Sequence, residues 1–361
     1  MPSMLRPWTI AKAVLCACGW SSVLLASAGH AQQAQASGSQ GQTPVFTLKI
    51  YTNRVQIPTL VLDHERQPLP RIDFRRFELS LDGGKPFAPT NVRMQGDDPL
   101  DIAIILDPRA PQKNLMSGFA EAAAEMAAKS LHPRDHFTIY ALGCSMVRSP
   151  MRMPAEPELV RHAVENVLKA PALSRSSDPS TPCAKKIYLW GAVTQVVKEL
   201  NDATGRRVIL VVSDGGDAGS AVTWIQLHDF AAANGVAIFG LNDGSDPSTV
   251  PWGEATHNPL KALCESTGGI VMLAWRHDLN KPLQRWIALL RGRYVVEFPR
   301  PQALGTGSHD ITVSIKRDGL AFVTLAGVSM TLPDPKLTSD PNYVPSQEGS
   351  DIPVGTRRPL R

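Results

Sequence analysis

Five apolar residues, Ile102-Ala103-Ile104-Ile105-Leu106, run unbroken into Asp107 and then into Pro108-Arg109-Ala110-Pro111. A strand without polar alternation has to be covered on both faces, the setting of a central strand in a parallel sheet. A second run, Val208-Ile209-Leu210-Val211-Val212, ends in Ser213-Asp214-Gly215. Two such strands, each carrying an acid to its carboxyl end, restrict the chain to an open α/β architecture. In that architecture ligands bind beyond the strands' carboxyl ends. Asp107 and Asp214 are therefore the first candidate site residues.

Around these runs, helical and extended patterns alternate through residues 100–292. Residues 115–131 form an Ala-rich amphipathic pattern that stops before Pro133. A strand is expected at 136–142, helices at 158–170 and 187–203, and a polar loop between them at 174–182. After the second apolar run come a helix at 221–234 stopped by Gly235, a strand at 236–241 and a short helix at 259–266. A strand at 269–273 and a helix at 279–290 complete the series. Such alternation predicts a doubly wound, mainly parallel, Rossmann-like sheet with helices on both faces.

The flanks read differently. Half-buried strand patterns occur at 46–51, 57–63 and 77–81, the last turned by Asp82-Gly83-Gly84. Beyond Arg293 they return at 294–298, 309–315 and 321–325, with Lys316-Arg317-Asp318-Gly319 as a turn. Neither flank has many strands alone. Residues 44–99 and 293–331 are therefore expected to build one β-sandwich around an inserted α/β domain at 100–292. Residues 332–361, rich in Pro, Ser and Asp, read as a disordered tail.

The 361 residues suffice for two ordinary domains, and 43% hydrophobic with 19% charged residues excludes disordered and collagen-like classes. Residues 1–31 read as a signal peptide: Arg6 and Lys12 precede an apolar stretch, and Gly29-His30-Ala31 supplies the cleavage pattern. Residues 32–43 read as a flexible N-terminus. Leu15-Cys16-Ala17-Cys18 lies too close to Lys12 to act as a lipoprotein box. Export to the periplasm or the extracellular space is expected, with no membrane span after cleavage. Loss of Arg6 and Lys12 takes the formal charge from +4 to +2. The remaining basic residues are scattered, which argues against a nucleic-acid partner. Three of the five cysteines remain, Cys144, Cys183 and Cys264; an oxidising compartment predicts one pair and one leftover thiol.

No enzyme signature emerges. Ser213-Asp214-Gly215 lacks the glycine spacing of a nucleophile elbow. No phosphate-binding glycine loop of the Gly-x-x-x-x-Gly-Lys-Ser/Thr type occurs, and the nine histidines show no paired zinc-ligand spacing. His228 and His277 fit solvated positions. Trp190, Trp224, Trp275 and Trp286 suit core or groove positions, whereas Trp252, in a loop near the ligand end, suits an exposed contact.

Taken in order, the segments resemble the bacterial secreted von Willebrand factor A-related domain proteins, and the α/β portion resembles a type A domain. The resemblance rests on Val61-Leu62-Asp63, Leu81-Asp82-Gly83-Gly84-Lys85-Pro86, Ile104-Ile105-Leu106-Asp107 and Arg134-Asp135-His136-Phe137. Val211-Val212-Ser213-Asp214-Gly215-Gly216-Asp217, Leu263-Cys264-Glu265-Ser266-Thr267-Gly268-Gly269 and Arg293-Tyr294-Val295-Val296-Glu297-Phe298 extend it. Type A domains often carry a metal-ion-dependent adhesion site built on Asp-x-Ser-x-Ser, a Thr and a later Asp, an oxygen set suited to Mg²⁺. By that resemblance Asp107 matches the first acid and Asp214 the last. The serine positions fall on Arg109 and Pro111 and the Thr position near Ile187, none of which offers a side-chain oxygen. Asp107 and Asp214 are thus remnant metal positions of a degenerate site. No cofactor is expected, with weak Mg²⁺ or Ca²⁺ binding as the alternative. Arg109 either pairs with Asp107 or Asp214 in place of the ion or points into solvent. The resemblance also brings Cys144 and Cys183 to one rim and implies a disulfide between them, closing about forty residues and contributing roughly 3–4 kcal/mol. Cys264 suits a buried position, and Asp214 and Asp217 suit capping of their loop and the following helix.

The implied function is an exported, non-enzymatic protein-interaction module that binds a protein partner at a rim of Asp107, Arg109, Asp214 and Trp252. Two alternatives are a divalent-metal-dependent adhesin with replacement ligands and a hydrolase using Asp107 and Asp214.

Overall fold

A computed structural model describes residues 54–69, 71–108, 113–170, 188–243, 258–275, 278–299, 307–316, 321–325 and 329–332. Strands β1 (Arg54–Leu62), β2 (Phe77–Leu81) and β3 (Asn91–Met94) come first. Next are β4 (Leu100–Leu106), helices α1 (Lys113–Met116) and α2 (Phe119–Ser130), and strands β5 (His136–Ala141), β6 (Val147–Arg148) and β7 (Met153–Pro154). Helices α3 (Pro157–Lys169) and α4 (Leu189–Glu199) lead to β8 (Arg206–Val212), α5 (Trp224–Ala233), β9 (Ala237–Asn242), α6 (Pro259–Ser266), β10 (Val271–Leu273) and α7 (Asn280–Arg291). The described chain ends with β11 (Tyr294–Pro299), β12 (Gly307–Ile315), β13 (Phe322–Leu325) and β14 (Ser329–Leu332).

The two apolar runs are neighbours. β4 pairs in parallel with β8, Ile102 opposite Val208 and Leu106 opposite Val212. The sheet order is β10-β9-β8-β4-β5-β6, parallel from β10 to β5. Every residue of β4 is buried. Ile102, Ile104 and Leu106 face a core shared with α2, α3 and α7. Ala103 and Ile105 face a second core shared with α4, α5 and α6. This is the doubly wound architecture the unbroken apolar runs demand, each large side chain contributing about 1.5–3 kcal/mol of burial.

Local chemistry sets the element ends. The expected helix at 115–131 is broken: Gly118, a poor helix former, is the N-cap of α2 and separates it from α1. α5 starts at a capping box in which Thr223 and Gln226 satisfy each other's backbone N–H groups. It stops before Gly235, whose φ of +60° suits glycine. β6 and β7 pair antiparallel with β5 at the sheet edge. At two residues each they are too short to leave a period in the sequence.

The flanks combine as expected into facing antiparallel sheets. One has the order β13-β1-β11-β3 and the other β14-β12-β2, so each mixes strands from both flanks. Ile57, Phe77, Leu79, Val296, Phe298, Ile311 and Val313 fill the space between them. Phe77 packs on Tyr294 and Phe87 on Phe298, with ring centroids 5.2 and 5.5 Å apart. Leu60 and Leu62 on β1 belong instead to the core over the parallel sheet, so one strand serves both layers. A polar seam reinforces this junction. Asp135, fully buried, accepts from the N–H groups of Leu100 and His132 at 2.9 and 2.8 Å and pairs with Arg291. Arg291 also donates to the carbonyls of Gly96 and Asp98 at 3.1 and 2.7 Å.

Candidate functional site

The carboxyl ends of β4 and β8 meet in a small polar cluster. The Asp107 N–H donates to the Val212 carbonyl at 3.0 Å, and the Ser213 N–H to the Leu241 carbonyl at 3.2 Å. The ladder thus holds both residues in place just past their strands. Asp107 is only 1% exposed. Its Oδ2 accepts from the Ser213 hydroxyl at 2.9 Å, while Asp214 Oδ1 lies 3.5 Å from the same oxygen. A hydroxyl has one proton, so the shorter, better contact to Asp107 takes it. The Ser213 oxygen in turn accepts from the Gly215 N–H at 3.2 Å, and Asp214 Oδ1 accepts from the Gly216 N–H at 2.8 Å. The turn requires glycine: Gly215 has φ +86°, and a Cβ there would meet Leu260 Cβ at 2.8 Å.

Asp217 ties this loop to α4. Its carboxylate accepts from the N–H groups of Trp190, Gly219 and Ser220 at 3.1, 3.1 and 2.9 Å and from the Ser220 hydroxyl at 2.5 Å. Ser220 Oγ accepts from the Gly191 N–H at 3.1 Å. Burial alone would raise the Asp217 pKa; the bonds from Ser220, Trp190 and Gly219 outweigh it and hold the carboxyl below the usual aspartate value. Asp217 therefore caps its own loop and α4, a helix earlier in sequence, while the following helix α5 is capped by Thr223.

Of the residues singled out in the sequence, Asp107 and Asp214 stand together at the strand ends, bridged by Ser213. Arg109, Cys183, Trp252, Ile187 and His277 lie outside the described residues, as do residues 1–53 and 333–361. Cys144 is half-buried in the segment after β5. Cys264 is a fully buried free thiol whose pKa is pushed up by burial. His228 sits beside Asp229 at 3.0 Å on α5. Trp190 and Trp286 are buried, in line with a core role, but Trp275 is 63% exposed just beyond β10. Tyr188, ahead of α4, is exposed as well. Ser213 and Trp275 are the rim features that sequence reasoning missed. Ser213 could have been weighed from its place at the end of an apolar strand; nothing near Trp275 distinguishes it from its buried counterparts.

Among the described residues no three His, Cys, Asp or Glu side chains cluster closely enough to hold a metal ion. Asp107, Ser213 and Asp214 supply two carboxylates and one hydroxyl, chemistry that suits a hard cation only in part. None of the described helices is long and apolar enough to cross a membrane.

The sequence matches no protein-family model and no curated protein. Among solved structures it is similar to proximal thread matrix protein 1 from the mussel byssus, at 12% identity and a TM-score of 0.40, with 55% of this chain and 49% of that one covered. A second structure of the mussel protein, with the same values, has a zinc-occupied MIDAS motif. The vWF domain of the type V pili tip protein Mfa5 from Porphyromonas gingivalis is similar at 10% identity and a TM-score of 0.37, over 53% of this chain and 94% of that one. The chain spans about half the length of the mussel protein it matches. The strand order, the helices on both faces and the two acids at the carboxyl ends of β4 and β8 give the α/β unit a von Willebrand factor A-like fold.

Proposed function

We propose that the chain is an exported, non-enzymatic protein-interaction module whose partner binds at the carboxyl-end rim of the parallel sheet, around Asp107, Arg109, Asp214 and Trp252. The observation that carries this reading is the Asp107–Ser213–Asp214 cluster, which sets two acids at the ligand end of the sheet. Sequence chemistry supports loss of the metal: arginine and proline stand where the type A motif has serines, and neither brings an oxygen ligand. Residues 1–31 act as the signal peptide, residues 44–99 and 293–331 as the sandwich, and residues 100–292 as the binding domain. A Cys144–Cys183 disulfide pins the rim. It is supported by Cys144 being disulfide-bonded and by Cys264 being free and buried. Peptide mapping without reductant tests it; free thiols at 144 and 183 in the secreted protein refute it.

Isothermal titration with Mg²⁺, Mn²⁺ and Ca²⁺ tests the loss of the metal site. Heats without saturation are expected. Micromolar binding that disappears in Asp214→Ala overturns the reading in favour of a divalent-metal-dependent adhesin. The Ser213 hydroxyl is the observation that keeps this second reading open, because it is an oxygen ligand placed between the two acids.

A further inference from the structure

The opposite, amino end of the sheet holds a basic recess unrelated to the rim. Arg293, directly before β11, is 2% exposed. Its Nε donates to Gln95 Oε1 at 3.0 Å, but its Nη1 has no hydrogen-bond partner among the described residues. Neither has Nε2 of Gln95, itself buried. Arg291, two residues earlier, pairs with Asp135; Arg293 makes no ion pair among the described residues. A buried guanidinium without a counter-charge is costly, so such a group calls for an acceptor.

Arg293 lines a recess of about 60 Å³ together with Pro58, Gly205, Arg206, Arg207 and Gly235. The Arg206 guanidinium is answered by Asp98 at 3.2 Å. Arg207 makes no ion pair among the described residues and lies over Gly235, its Nη2 3.8 Å from where a Cβ would stand. Burial lowers the pKa of both Arg207 and Arg293; Asp101, opposite Arg207 in the sheet register, offsets part of it for Arg207, and the Arg206 charge adds to the effect in each. Two guanidinium groups without an ion pair among the described residues, Arg293 the less compensated, border one small space. That space has room for a single compact ion.

We propose that this recess binds a tetrahedral oxyanion, inorganic phosphate or the phosphate group of a monoester, held by Arg293 and Arg207. A divalent anion matches two guanidinium charges, and planar N–H forks suit phosphate oxygens. An anion in the recess would give the Arg293 guanidinium the counter-charge that no described residue supplies. Gly205 and Gly235 line the recess without contributing side chains.

The test uses the full-length chain, titrated with inorganic phosphate and separately with glycerol phosphate, against sodium chloride of equal ionic strength. Saturable binding and a phosphate-dependent rise in Tm are expected. Preference for glycerol phosphate assigns the site to a phosphorylated ligand, and preference for inorganic phosphate assigns it to the free ion. Arg207→Gln should weaken binding roughly tenfold or more, and Arg293→Met should abolish it. No saturable binding, a Tm rise that chloride reproduces, or an unchanged response in Arg207→Gln overturns the proposal. Arg207 is half-buried and outside the ion-pair network, so that variant decides the matter even if Arg293→Met does not fold.

Discussion

The two ends of the parallel sheet handle buried charge in opposite ways. At the carboxyl end the charges are acids, and uncharged donors meet them: Ser213 for Asp107, the Gly216 N–H for Asp214, and the first turn of α4 for Asp217. At the amino end acids and arginines interlock. Asp135 holds Arg291, Asp98 holds Arg93 and Arg206, and Asp101 holds Arg152. Arg293 is left over. The difference has a structural origin. Loops and helix starts after parallel strands expose backbone N–H groups, which serve carboxylates. An arginine needs acceptors, and where the sandwich covers the sheet's amino end these come only from carbonyls and acids already engaged.

The contrast can be broken most directly by removing one member from each kind of arginine site. Asp135→Ala strips Arg291 of its carboxylate and two backbone N–H groups of their acceptor, and should cost about 3–5 kcal/mol in chemical denaturation. Arg293→Met, measured in phosphate-free chloride buffer, should change stability by only about 1 kcal/mol. Relief of an uncompensated buried charge there offsets the lost Gln95 bond. Similar losses in the two variants would mean that Arg293 is as well compensated as Arg291, and the asymmetry would collapse.

The central sheet was legible in the sequence because β4 and β8 lack any polar alternation, a pattern only two-sided burial explains. The acids ending these strands marked the rim for the same reason. The sandwich was legible as an expectation of shared flanks, but its pairing was not. β1 meets β11 with Arg54 opposite Pro299, and a contact that far apart in sequence leaves no local period. The arginine recess was invisible for a related reason. Arg206 and Arg207 open β8 while Arg293 directly precedes β11, and only the docking of β1 and β11 against the start of β8 brings them together. Asp217 illustrates a subtler limit. Its turn-forming neighbours announced a cap, yet the helix it caps precedes it by a whole strand.

A smaller effect sharpens the carboxyl-end half of the comparison. Asp217→Ala removes the acceptor for Trp190 and for its own loop, and should cost about 1–2 kcal/mol at neutral pH. Because the folded pKa of Asp217 is lowered, its contribution is fully present above the unfolded value of about 3.9 and fades as pH falls through the folded value. The stability difference between wild type and variant should therefore stay constant from neutral pH to about pH 5 and shrink below about pH 4. A difference that grows on acidification would place the stabilising charge elsewhere in the loop.

The smallest expected change in stability comes with the most informative change in binding. Trp275 projects from the end of β10, two strands along the sheet from β8, or about 10 Å at the usual strand spacing. Its backbone carbonyl accepts from the Asp278 N–H at 2.8 Å, a bond that side-chain truncation leaves in place. Trp275→Ala should therefore alter unfolding free energy by no more than about 0.5 kcal/mol. An exposed tryptophan beside a polar rim is the residue type that dominates protein interfaces. If the rim binds a protein, retention of that partner from envelope or culture fractions should fall in Trp275→Ala and in Asp214→Ala alike, with both variants still folded. Undiminished retention in both would remove the carboxyl end of the sheet as the binding surface and leave its acids with a purely structural task.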